Sequence, residues 1–175
     1  VIIKAVSVNI VKMMSPGSTL IILDPAAAVA KELALRDDCT FVVTHPCHPS
    51  FFIEQETPEA RQDYFGGIAG KQDIVMAKIQ GDDANFAEAR TISEQMFAPV
   101  ANSFVMGIRD IAFLEPTLVE ILGASTLYAM AETVDEAERR GIPREAAISF
   151  LAGHIKVLSA IFLGKLGKVQ VSDAC

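Results

Sequence analysis

The residues of this chain best suited to moving a proton lie in one short segment, Thr44-His45-Pro46-Cys47-His48-Pro49. Histidine both takes and gives a proton near neutral pH. The prolines fix φ and remove two backbone donors, so a rigid, non-helical turn is expected here. His45 and His48 are therefore candidate catalytic residues. The competing reading is a turn whose imidazoles only satisfy local hydrogen bonds. His154, in Gly153-His154-Ile155, borders an expected apolar stripe of Ile148, Leu151, Ile155 and Leu158. It reads either as a residue lining a substrate pocket or as a core or interface histidine. Glu115 stands among apolar residues just before Pro116, so it sits near a helix start or points into a substrate pocket. Glu120 falls about 140° further round a regular helix and reads as a solvated or interface residue. A glycine-rich turn, Phe65-Gly66-Gly67-Ile68-Ala69-Gly70-Lys71, lets backbone approach a ligand closely. Gly66 and Gly67 are candidates for substrate contact, against an ordinary turn with a surface lysine. Lys71 is a candidate for anion binding or proton transfer. The motif lacks the G-x-G-x-x-G order and precedes a strand, so it is no dinucleotide fingerprint. A divalent metal would find its candidate ligands in His48, Glu115 and His154, although no ligand spacing establishes such a site.

These residues need elements to hold them. Val1 to Met14 places Ile3, Val6, Ile10 and Met14 at helical spacing. A turn at Ser15-Pro16-Gly17 leads to a buried strand over Ser18 to Leu23. A helix over Ala26 to Leu35 and a second buried strand over Cys39 to Thr44 follow. Apolar strands alternating with helices indicate a parallel sheet covered on both faces, with ligands at the carboxyl ends of its strands. Asp24-Pro25 and the His-Pro turn occupy such ends. A functional loop is expected over Phe51 to Tyr64. A strand over Gln72 to Gln80, a helix over Asp82 to Phe97 and a short strand over Asn102 to Met106 come next. From Gly107 the pattern is helical: one stretch from Ile111 to Arg140, in which Pro116 should kink the helix or mark its first turn, then a helix from Arg144 to Leu163. The expected fold class is α/β followed by all-α. Residues 1–106 would be the C-terminal portion of a Rossmann-type sheet domain, and 107–175 a helical substrate and dimerisation domain.

Half of the chain is hydrophobic, and its formal net charge is −7. The acidic balance argues against nucleic acid as a partner, because phosphate binding needs a basic patch. The unbroken apolar runs are far shorter than the ~20 residues of a membrane span, so no membrane partner is expected. The cysteines, Cys39, Cys47 and Cys175, are odd in number and irregularly spaced. That suits a reducing, cytoplasmic location better than a disulfide framework. Leu118, Leu122, Leu127 and Met130 supply more apolar helix surface than one small core needs, so a homodimer is expected. The chain starts without Met, and both its ends read as cut.

Leu23-Asp24-Pro25-Ala26-Ala27, the His-Pro turn, Phe65-Gly66-Gly67, Lys71-Gln72-Asp73-Ile74-Val75, Leu114-Glu115-Pro116 and Gly153-His154-Ile155, taken in this order, resemble the phosphogluconate dehydrogenase-like oxidoreductases. The double His-Pro motif is the most specific of these pieces, and the resemblance covers nearly the whole chain. Some members act on sugar acids, as apionate oxidoisomerases do, and the turn is also similar to that of prephenate dehydrogenases. The resemblance implies a fragment of an NAD- or NADP-dependent oxidoreductase whose glycine fingerprint is not in this chain. The implied reaction oxidises a hydroxyl of a small hydroxy acid or sugar acid, with rearrangement or decarboxylation as an accompaniment. It also implies that His45 acts on the substrate hydroxyl. At Lys71 the sequence departs from the related enzymes, which place an Asn four residues after a catalytic lysine; here that position is Val75. The alternative is a non-catalytic helical dimerisation module without its own nucleotide site.

Overall fold

The computed structural model of the chain describes residues 5–170. Ile3 and Cys175 lie outside the described residues. The first helical segment is irregular, a π-helical turn Val6–Ile10 running into a 3-10 turn Val11–Met13. A π turn advances less per residue than an α turn, and the inward position moves accordingly. Val11 is buried, whereas Ile10, expected to face inward, is half exposed.

Four strands follow: β1 (Thr19–Ile22), β2 (Thr40–Pro46), β3 (Gln72–Gln80) and β4 (Val100–Val105), in the spatial order β1-β2-β3-β4. The helices between them are α1 (Pro25–Val29), α2 (Pro58–Gln62) and α3 (Asp83–Met96). α1 is shorter than the expected Ala26–Leu35. Lys31 adopts a left-handed φ of 59°, its N–H donates to the Ala28 carbonyl and the Glu32 N–H donates to Ala27. This pattern terminates a helix.

β1 and β2 are parallel, as are β3 and β4, but β2 and β3 are antiparallel. The sheet is therefore mixed, where a parallel one was expected. A parallel return needs a crossover that carries the chain back along the strand. The 47–71 connection instead closes on itself at one end of the sheet. Gln55 clamps the Lys71 backbone, accepting its N–H at 2.8 Å and donating to its carbonyl at 2.7 Å. The Cys47 N–H donates to Asp73 O at 2.9 Å. β3 therefore starts where β2 ends, pairing Ile74 with Pro46 and Val75 with His45. The 51–64 segment is not wholly loop, since it contains α2, capped by Thr57.

Side chains alternate across a strand. Phe41 and Val43 of β2 join Val75, Ala77, Val11 and Ile22 in one core layer, which Ile111 completes. Val42 joins Ile74 and Met76 on the other face, under Ala89 and Phe86 of α3. Ile111 belongs to α4 (Ile108–Leu114). The helix continues as a π-helical stretch Glu115–Gly123 and then as α5 (Ala124–Arg139). Pro116 has no N–H to give to the preceding turn, and the chain takes up this defect in the wider π winding. α6 (Arg144–Phe162) follows.

The chain divides into two compact units, 1–118 and 119–175. The composition boundary near Gly107 falls at the N-cap of α4, a helix that packs into the sheet core. In the second unit α5 and α6 pack together, and Arg144 pairs with Asp135 at 2.6 Å and Glu138 at 2.9 Å. Between these helices an apolar groove of about 560 Å³ is lined in part by Val134, Ala137, Ala147, Phe150 and Leu151. Ile108–Arg139 and Arg144–Phe162 are long and apolar enough to cross a membrane, with mean hydropathies of 1.2 and 1.4. Counting unbroken apolar runs does not detect this. The first turn of the longer one is anchored on the sheet, with Ile111 buried in its core layer.

Candidate active site

His45 continues the alternation of Phe41 and Val43 on β2, so its ring faces the layer on which α4 packs. α4 is seated by Ile111, with Leu114 packed against the same layer. The residue after Leu114 is Glu115, which arrives over His45. The distance from His45 Nε2 to Glu115 Oε1 is 3.4 Å, and the two side chains are 28% and 37% exposed. The other ring nitrogen, Nδ1, lies 2.8 Å from the Pro46 carbonyl oxygen. A carbonyl only accepts, so this contact places a hydrogen on Nδ1. Nε2 is then the nitrogen free to exchange a proton, with a carboxylate beside it.

His48 follows the same design. Its Nδ1 lies 2.8 Å from the Phe65 carbonyl oxygen, which again leaves Nε2 free. Its ring meets the Phe65 ring edge-on at 5.9 Å and the His45 ring at 6.4 Å. Its backbone sits at φ 59°, a conformation that costs energy for a residue with a side chain. At the carboxyl end of β2, His45 thus stands between Glu115, which α4 delivers, and the edge of the His48 ring.

The other candidates lie elsewhere. The Lys71 ammonium is 3.9 Å from Glu56 and 45% exposed, and it lines a small recess with Glu54, Gln55 and Thr57. Gly66 and Gly67 both have positive φ, 77° and 87°. A Cβ on Gly66 would come within 2.3 Å of the buried Gln72 side chain, whereas Gly67 faces open space. The loop's amides, expected to be open to a ligand, are largely taken. Asp63 accepts from the N–H of Gly66, Ile68, Ala69 and Gly70 at 2.9–3.1 Å. These backbone hydrogen bonds hold the Asp63 carboxyl below the usual carboxylate range. Asp63 was not singled out above, although an Asp three residues before a glycine pair signals a local side-chain-to-backbone turn. His154 is exposed in the second unit, stacked on Phe150 at 4.0 Å with Nδ1 2.7 Å from the Phe150 carbonyl. It lines the apolar groove, and the expected stripe beside it is not buried, since Ile148 and Leu158 are exposed.

Among the described residues no three His, Cys, Asp or Glu side chains group closely enough to hold a metal ion. Two of the chain's turns have their backbone N–H groups taken by a carboxylate of the same turn. In the first, α1, the amides of Ala26 and Ala27 go to Asp24. In the second, the glycine loop, they go to Asp63.

The chain is 64% identical over 175 residues to a D-apionate oxidoisomerase of Blautia hydrogenotrophica and spans 61% of that protein's length. It is 40% identical to a D-apionate oxidoisomerase of Cupriavidus necator. A crystal structure of a semialdehyde dehydrogenase NAD-binding protein from Cupriavidus necator, in complex with calcium and NAD, superposes with a TM-score of 0.91 at 40% identity. That match covers 99% of this chain and 63% of the other. The family model described as phosphogluconate dehydrogenase (decarboxylating), C-terminal, matches residues 53–175, and the chain belongs to that family.

Proposed function

We propose that this chain forms the substrate side of an NAD-dependent oxidoreductase acting on a sugar acid of the D-apionate class, with oxidation of a hydroxyl coupled to a rearrangement. The observation that carries this reading is the His45–Glu115 pair, with Nε2 3.4 Å from the carboxylate and Nδ1 tied to the Pro46 carbonyl. The names of the relatives supply the substrate class and the cofactor. When bound, NAD supplies a hydride acceptor. The chain's own residues handle the proton. His45 Nε2 takes the proton of the substrate hydroxyl as the O–H bond breaks and the carbonyl forms. The Glu115 carboxylate stabilises the resulting imidazolium. His48, with Nδ1 engaged by the Phe65 carbonyl, turns Nε2 toward substrate, where it can meet a second substrate hydroxyl. Lys71, in its separate recess beside Glu56, remains a candidate for binding an anionic group. Residues 1–106 act as the sheet portion of the nucleotide-binding domain, and 107–175 as a helical substrate and dimerisation portion to which His154 belongs.

The test is His45→Asn in the full-length protein. With D-apionate and NAD, turnover should fall by about 10²–10⁴, the usual worth of a positioned general base, while NAD affinity is kept. Normal turnover would remove the assignment. Full-length protein that binds no nicotinamide cofactor would remove the dehydrogenase reading altogether.

The second unit favours a further role, association with a second copy. Leu122, Leu127, Tyr128, Phe150 and Phe162 are each at least 60% exposed, and the groove between α5 and α6 is almost wholly apolar. Such surfaces mark protein contacts. Sedimentation of the full-length protein at micromolar concentration should give a dimer; a monomer would overturn this.

A further inference from the structure

Asp63 takes no part in proton transfer at His45, yet it is the most heavily engaged carboxylate among the described residues. Its Oδ1 accepts from Gly66, and its Oδ2 from Ile68, Ala69 and Gly70. Hydrogen bonds from N–H groups to an ionised carboxylate are among the stronger ones, and these draw residues 63–70 into a closed loop. That loop is built against the His-Pro turn. Phe65 lies inside it and presents its carbonyl to His48 Nδ1 at 2.8 Å. At the loop's far end, a Cβ on Gly70 would lie 2.9 Å from Pro49 Cγ and 2.8 Å from the Asp63 carbonyl oxygen. The absence of a side chain at Gly70 is what lets Pro49 seat there. His48 meanwhile holds a left-handed backbone, which persists only where its surroundings enforce it.

We propose that Asp63 is a positioning residue for His48: it fixes the loop that carries the Phe65 carbonyl, that carbonyl keeps the ring proton on Nδ1, and Nε2 of the neutral ring is left as the acceptor for substrate. The last step rests on the reading that His48 touches substrate; the first two do not. Which nitrogen of an imidazole is available is set by the hydrogen bond the other one makes. Here the acceptor of that bond is a backbone carbonyl whose own place depends on a carboxylate within the same loop.

The experiment is nitrogen-15 NMR of histidine-labelled full-length protein, with the His48 signals assigned by their loss in His48→Asn. Wild-type His48 should show the Nδ1–H tautomer. In Asp63→Ala it should become a mixture of tautomers, with His45 unchanged. Added formate, which can occupy the vacated carboxylate position, should restore the single tautomer. The same variant should raise KM for the sugar acid by about tenfold, the worth of roughly one hydrogen bond, with NAD affinity unchanged. A wild-type His48 protonated at Nε2 overturns the proposal, and so does an unaltered tautomer in folded Asp63→Ala. If Asp63→Ala does not fold, Asp63→Asn is the second variant and is read for the same change of tautomer, while the wild-type tautomer decides the second step. A His48→Asn protein with unchanged kcat/KM overturns the substrate contact alone, while the tautomer result continues to report on Asp63.

Discussion

Replacing Glu115 by Gln keeps the size of the side chain and removes its charge. If His45 takes the hydroxyl proton, it becomes an imidazolium 3.4 Å from that carboxylate. At this separation two unit charges attract by about 1 kcal/mol in bulk water and about 5 kcal/mol at an effective dielectric constant of 20. Roughly a third of each side chain is exposed, so solvent screening brings the value toward the lower end, about 1.5 kcal/mol. Lost from the transition state, this is about a tenfold fall in kcat. The assay is substrate-dependent formation of reduced nicotinamide by full-length protein. KM for the sugar acid and affinity for NAD should hold, because the charge being stabilised appears only as the proton moves. The pair should also act as a unit, so adding Glu115→Gln to His45→Asn should cost little more than His45→Asn alone. A Glu115→Gln enzyme within twofold of wild type would refute the reasoning, as would full additivity in the double variant.

Ile111→Ala should cost about 2–5 kcal/mol of stability in denaturant unfolding, since Ile111 is 2% exposed and seats α4 on the sheet; it should also lower turnover through Glu115. Gly66→Ala should destabilise the fold more than Gly67→Ala does. Both positions carry the strain of positive φ, about 1–3 kcal/mol, but only at Gly66 does a Cβ strike the buried Gln72 side chain. Thermal melts of the two variants would reveal equal losses if that collision is irrelevant. The Asp63 carboxyl is held down by its backbone donors. The folded state therefore binds this proton less readily than the unfolded chain, and the resulting stability is present above the unfolded value of about 3.9. Stability should fall as the pH drops from there through the lower folded value. Asp63→Asn should flatten that acid limb, and an unchanged limb would show that the loop is held by something else.

Much of the fold can be read in the sequence because periodicity and burial are coupled. The nine-residue run Gln72–Gln80 is strand over its whole length, and α3 starts at the Asp82 cap that its residue type suggests. The α/β-then-helical class holds for the same reason. What could not be read is direction and phase. Nothing in an apolar strand tells whether it runs with or against its neighbour. That was decided by the 47–71 connection, where Gln55 clamps Lys71 through two hydrogen bonds of opposite sense. The inward position on the first helical segment moved from Ile10 to Val11 because the turns there are π and 3-10 rather than α, and side-chain spacing alone assumes regular winding.

The site divides along the same line. His45 and His48 are visible from residue type and from their place at a strand end, and Glu115 from its apolar surroundings. Their convergence is a tertiary fact, yet it follows from two periodicities acting together. Period two on β2 puts His45 on the face of Phe41 and Val43. The register of α4 on that face, set by Ile111, then delivers Glu115 one residue after Leu114. The glycine loop misleads for a physical reason. Glycines that let a backbone wrap an anion are read as a ligand cradle, but a carboxylate three residues upstream is an anion too, tethered at high effective concentration. Asp63 therefore fills the concavity before any soluble ligand can. The loop's contribution to the site runs outward instead, through the Phe65 carbonyl to His48, on the side where the histidines and Glu115 meet.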